Sequence, residues 1–173
     1  MIRDPDREVR ITVAHRVDLG DLLKMAGDAD YMVRVIVARR LSHGKLPRLS
    51  QDPEREVRKT VARRLPAFAL TRLLADPEPE VRRIVAERLP VSLLDTLVAD
   101  ADWTVRWEAA GRAHGAALER LLNDAEPEVR ERARERLDAM EPLGECVPSP
   151  IPRGDACQLG SGPARGTMEP VHG

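Results

Sequence analysis

The chain has 173 residues, 42% of them hydrophobic and 33% charged, with 28 Lys and Arg against 29 Asp and Glu for a formal net charge of −1. No apolar run approaches membrane-spanning length, the two cysteines are too few for a disulfide framework, and the balance is slightly acidic rather than broadly basic. Four aromatic residues, Tyr31, Phe68, Trp103 and Trp107, leave any core aliphatic and thin.

Between Asp4 and Arg130 the unit Asp-(Pro/Ala)-(Asp/Glu)-x-x-Val-Arg recurs every 24 residues, at Asp4, Asp28, Asp52, Asp76, Asp100 and Asp124. A period without slippage predicts a solenoid, in which each unit buries its apolar face only against its neighbours. Residues 1–143 are assigned to this array. Residues 144–173 form a Gly/Pro/Ser-rich tail expected to be disordered.

With the Asp as offset zero, offset five reads Val9, Val33, Val57, Val81, Val105, Val129, and offset nine reads Val13, Val37, Val61, Val85, Ala109, Ala133. Offset thirteen adds Val17, Leu41, Leu65, Leu89, Ala113 and Leu137. These positions are i, i+4 and i+8, so each unit carries one α-helix with a single apolar stripe. Acidic residues such as Asp6, Glu54 and Glu78, with Pro79 and Pro127, mark the helix starts; Pro66 and Pro90 mark the ends.

The rest of each unit is too short for a second full helix. Its apolar pairs are three apart (Leu22/Met25, Leu46/Leu49, Leu70/Leu73, Leu94/Leu97, Leu118/Leu121), which suits a short 3₁₀ or single-turn helix. No segment alternates at period two, so one continuous all-helical stack without strands is expected from Asp4 to about Leu137.

The stretch Asp-Pro-Glu-x-Glu-Val-Arg-x-x-Val-Ala-x-Arg-Leu, from Asp52 to Leu65 and nearly again from Asp76 to Leu89, resembles the leucine-rich repeat variant family, over roughly residues 2–143. The resemblance implies a right-handed superhelix of alternating α and 3₁₀ helices in two layers. It also implies a context in which family members often carry an N-terminal 4Fe-4S domain and occur with nitrogen-fixation genes. No cysteine precedes Cys146, so this chain has no residues for that cluster, which is expected only in an upstream domain.

Two arginine ladders flank the apolar stripe. Arg10, Arg34, Arg58, Arg82, Arg106 and Arg130 fill offset six; with the Asp ladder they are read as bridges that fix inter-unit geometry. Arg16, Arg40, Arg64, Arg88, Arg112 and Arg136 at offset twelve are read as less constrained. Charge is uneven: residues 31–72 hold eleven Lys and Arg against three acidic groups, and residues 76–145 hold ten Arg against seventeen.

The expected function is a non-catalytic scaffold for a protein partner in the cytoplasm, since a solenoid builds a surface and Met1–Asp4 does not begin a signal peptide. The alternative is binding of nucleic acid or phosphate through the basic middle units, carried by Arg39, Arg40, Arg63 and Arg64. Trp103 and Trp107, at offsets three and seven and one turn apart, are the candidate anchor of a partner face; packing of one or both rings on a neighbouring unit is the competing reading.

His15, His43, His114 and His172 are scattered with no nucleophile at a recurring offset, so no catalytic or metal site is assigned. Cys146 and Cys157 are read as idle thiols, a disulfide pair or a ligand pair, and Arg153-Gly154-Asp155 as chance. Arg132 and Arg134 give the last unit the polar outer face of a cap. The first unit starts in mid-period with Ile2 and has Ile11 at offset seven, so something is expected to cover that end: an upstream domain, a second copy or a fragment boundary.

Overall fold

The computed structural model describes residues 1–140, all in helices and turns, with no strand among them. Long helices are α1 (Arg7–Arg16), α3 (Tyr31–Arg40), α4 (Arg55–Arg64), α5 (Pro79–Arg88), α6 (Trp103–Ala110) and α8 (Pro127–Asp138). Between them lie α2 (Leu19–Leu22) with η1 (Leu23–Met25), then 3₁₀ helices η2 (Leu46–Leu49), η3 (Ala67–Leu73) and η4 (Val91–Thr96), and finally α7 (Gly115–Leu121). Each long helix packs on the next in one layer, and the short helices form the other. The tail with Cys146, Cys157 and the Arg153-Gly154-Asp155 triplet lies outside the described residues.

The apolar stripe is the core. Val33, Val57, Val81, Val105 and Val129 at offset five are fully buried, as are Val37, Val61, Val85, Ala109 and Ala133 at offset nine. The leucines spaced by three close the second layer, with Leu22, Leu46, Leu70 and Leu94 at most 1% exposed. At these burials each side chain contributes roughly 1.5–3 kcal/mol of transfer free energy.

The helix starts work differently from the capping expected of Glu54 and Glu78. Asp6, Asp30 and Asp102 accept the amide two residues on, whereas Glu54 and Glu78 occupy the same place without a side-chain cap. Their side chain is one methylene longer, and the turn is ordered instead by the offset-zero Asp. Its Oδ1 accepts the amide at offset two in every unit, as from Glu54 to Asp52 and Glu78 to Asp76 at 2.9 Å.

The fifth unit departs from the alternation, because α6 stops at Ala110 and its short-layer element α7 is α-helical. Where Pro66 and Pro90 enter a 3₁₀ helix in earlier units, His114 and Gly115 stand here. Gly115 has φ 53°, a left-handed conformation open to glycine, and Ala116 and Ala117 then favour a full α turn.

Candidate functional site

The Asp and Arg columns form a ladder running through the stack. Arg34 donates from Nε to Asp52 Oδ2 (2.8 Å) and from Nη2 to Asp52 Oδ1 (2.9 Å), while its Nη1 donates to the Asp28 carbonyl (2.7 Å). Arg58 repeats this with Asp76 and the Asp52 carbonyl, Arg82 with Asp100 and the Asp76 carbonyl, and Arg106 with Asp124 and the Asp100 carbonyl. Each guanidinium therefore holds its own unit by backbone and the next unit by carboxylate. Burial alone would push the Asp100 carboxyl up, yet the Arg82 fork and the Asp102 amide hold it below its ordinary value; Arg106 does the same for Asp124.

From the second unit on, the offset-twelve arginines are equally structural, contrary to their reading as the looser ladder. Arg40 donates to the Ala14 carbonyl (2.7 Å), Arg64 to those of Ala38 (2.7 Å) and Leu41 (2.8 Å), Arg88 to Ala62 and Arg112 to Ala86. Of the four candidate basic residues, Arg40 and Arg64 are thus turned inward to the preceding unit. Arg39 and Arg63 are exposed. Nearby Lys59 bridges Glu56 (3.0 Å) and Glu80 (2.5 Å), and a shallow groove lined by Lys59, Arg63, Glu80, Arg83, Ile84 and Thr104 crosses α4, α5 and α6.

The two tryptophans part company. Trp103, the first residue of α6, is 43% exposed. Trp107 is half-buried against the cluster containing Ala110, Leu118 and Val129, and the Arg132 guanidinium lies 4.9 Å from its ring centroid. A Cβ at Gly111 would come within 2.9 Å of that guanidinium, so glycine there makes room for the stack. Arg132 also donates to Glu135 (2.9 Å), while its buried Nε has no partner among the described residues. Arg132 therefore packs on Trp107 while its side chain stays 39% exposed on the last unit, and Arg134 is exposed.

Beside this stack Glu108 fills offset eight, where Ile36 and Ile84 stand in other units. Burial, then repulsion from Glu87, pushes its carboxyl above the ordinary range despite Arg83, Arg132 and Arg112. No signal in the spacing marks Gly111 or Glu108, because offset eleven (His15, Arg39, Arg63, Glu87, Gly111, Glu135) and offset eight (Thr12, Ile36, Thr60, Ile84, Glu108, Arg132) vary from unit to unit.

No group of three or more His, Cys, Asp or Glu among the described residues is placed to hold a metal ion, and those residues contain no cysteine. They do not fit a 4Fe-4S cluster. Among the described residues no helix is long and apolar enough to cross a membrane.

Two helical layers tied by a bidentate Arg–Asp ladder define a helical-repeat solenoid. Residues 55–78 match the family model for the leucine-rich repeat variant. A solved structure described as a leucine-rich repeat variant with a novel repetitive protein structural motif is 50% identical, with a TM-score of 0.75, over 78% of this chain and 57% of that one. The curated proteins offer no match. The chain belongs to the leucine-rich repeat variant family, and it spans a little over half the length of that solved relative, at 57%.

Proposed function

We propose that this chain is a non-catalytic scaffold, working in the cytoplasm, that holds a protein partner along its outer helix face. The observation that carries this reading is Trp103, 43% exposed on α6, one turn from a second tryptophan that packs on the core cluster with the Arg132 guanidinium over its ring. A large aromatic on a preorganised element supplies contact area at low entropic cost, as interface hot spots do. Exposed Arg63 and Arg83 flank the groove that reaches Thr104 beside it. The complementary partner is therefore an acidic surface with an apolar pocket.

The nucleic-acid alternative is weakened because Arg40 and Arg64 are engaged with backbone carbonyls, so of the four arginines that carry it only Arg39 and Arg63 are exposed, beside Lys45, Arg48 and Arg72 of the same basic block. Service as the repeat arm of an iron–sulfur protein tied to nitrogen fixation comes from the family resemblance alone. Cluster ligands for it would have to come from outside residues 1–140.

A photo-crosslinking amino acid at position 103 tests the reading in native extract. A discrete protein adduct, absent when the crosslinker sits at Glu119, is the expected result. Retention on duplex DNA or RNA at low salt, lost with Arg39→Glu and Arg63→Glu, together with no adduct at 103, would overturn it.

A further inference from the structure

The short-helix layer carries a surface of its own, on the other side of the stack from the long helices. Phe68 on η3 is 79% exposed, against 43% for Trp103, and takes no part in the core. Leu70 and Leu73 fix η3 in that core, and the Ala69 amide donates to the Pro66 carbonyl (2.9 Å), so the turn that carries the ring is closed in advance. In the next unit the Leu93 amide donates to the Pro90 carbonyl (2.9 Å), and its side chain is also exposed. Two apolar side chains thus stand on preformed turns in adjacent units.

Cations line the edge of the same face. Arg48 and Arg72 fill one column of the repeat, and each is exposed in a groove between successive inter-unit turns. The ladder carboxylates in those grooves, Asp52 and Asp76, are already held by Arg34 and Arg58. Neither Arg48 nor Arg72 meets a carboxylate at ion-pair distance among the described residues, nor does exposed Lys45, three residues before Arg48. The column of available cations ends on either side, where Lys24 is taken by Asp21 and Thr96 replaces the arginine.

We propose that this face binds an acidic amphipathic helix of a partner protein, its carboxylates on Arg48 and Arg72 and its aliphatic edge over Phe68 and Leu93. The members of each pair are one unit apart, about 8–10 Å at helix-packing distance. Seven residues of α-helix rise about 10 Å and return to the same face, so acidic side chains seven apart meet both arginines at once. An extended strand spans that distance in about three residues, which its alternation points to opposite faces. Three cations are fewer than the roughly four to eight of a cluster that recognises anionic lipid. A single nucleic acid strand calls for stacking rings in succession, and Phe68 stands in its column between Gly44 and Ser92. The site is separate from the Trp103 face and does not depend on it.

The probe is a fluorescein-labelled, alanine-based helical peptide with Glu seven residues apart on one edge and Leu seven apart on the next, followed by anisotropy. Saturable binding to the full chain is expected, weakened about tenfold by Phe68→Ala and unchanged by Trp103→Ala. Arg48→Glu with Arg72→Glu abolishes it, and the same peptide with Lys for Glu then binds this double variant instead. Melting temperatures stay at the parent value throughout, because all these side chains are exposed. No binding of the Glu peptide, equal binding of the Lys peptide to the parent chain, or a melting temperature lowered by Phe68→Ala overturns the proposal. Tighter binding to phosphatidylserine vesicles or to single-stranded RNA than to the peptide overturns it as well.

Discussion

Arg34 binds both carboxylate oxygens of Asp52, at 2.8 and 2.9 Å, across the junction between two units, and the pair's side chains are only 11% and 3% exposed. Asp52 also accepts the Glu54 amide, and its carbonyl accepts from Arg58, so one aspartate ties three elements together. A buried charge pair of this kind contributes little beyond an apolar substitute of the same shape, but removing one member strands the other.

The rungs should therefore be unequal in a predictable way. Asp76→Ala leaves the buried Arg58 guanidinium without its carboxylate and should cost about 3–5 kcal/mol in urea denaturation followed by circular dichroism. Arg58→Lys should not rescue, because the fork geometry is lost. Arg130→Ala should cost under about 1 kcal/mol: Arg130 donates to the Asp124 and Ala125 carbonyls (2.7 and 2.8 Å), and no carboxylate of a following unit meets it among the described residues. Equal losses at the two sites would show that the ladder does not hold the units together.

Acid should dissolve the same ladder. Asp100 and Asp124 lie below the ordinary carboxyl value of 3.8 in the folded chain. Folded values depressed below unfolded ones mean that their stabilisation is complete above the unfolded value and lost as pH falls through the folded one. Melting temperature should be flat from about pH 5 to 8 and fall below about pH 4. Asp100→Asn should start from a lower plateau and lose less on acidification. A midpoint of decline near pH 6 would point to histidine and not to these carboxylates.

Much of this fold was legible because the period is strict. Val57, Val61 and Leu65 recur at fixed offsets, and one stripe repeated six times admits one core. The same strictness hid the ladder's wiring: in a 24-residue repeat every offset-six arginine but Arg130 lies six after one Asp and eighteen before another. Spacing alone cannot tell a bond within the unit from one between units, and the structure uses both, carbonyl for the first and carboxylate for the second. Arg40 and Arg64 misled for a related reason. A cation beside a stripe reads as solvated until the backbone carbonyl that it reaches in the preceding unit is in view. The fifth unit was least legible, since its effects come from single residues, His114 for proline, Gly111 beside Arg132 and Glu108 for isoleucine.

Glu108 gives the opposite pH sign. Its folded value lies above the ordinary 4.5, so the ionised form is disfavoured in the folded state and the penalty operates above that value. Glu108→Ile, restoring the residue found at Ile36 and Ile84, should raise stability at pH 7 by about 0.5–2 kcal/mol. The gain should shrink as pH falls below about 4.5, where the unfolded chain is protonated as well. A loss of stability at pH 7 would mean that Arg83, Arg132 and Arg112 outweigh burial.

The tryptophans separate partner binding from packing. Trp103→Ala removes an exposed ring and should change stability by no more than about 0.5 kcal/mol. Trp107→Ala removes a ring packed against the Val129 cluster and under Arg132, and should cost about 2 kcal/mol, less than a fully buried ring because part of it stays exposed. Trp107→Phe leaves Trp103 as the one indole, strongly quenched by acrylamide; Trp103→Phe leaves a shielded one. Gly111→Ala should then unshield Trp107, because the new methyl would lie 2.9 Å from the Arg132 guanidinium and displace it. If quenching of the two single-tryptophan variants is alike and Gly111→Ala changes neither, Arg132 does not cover Trp107, and the packed support for Trp103 as an anchor is gone.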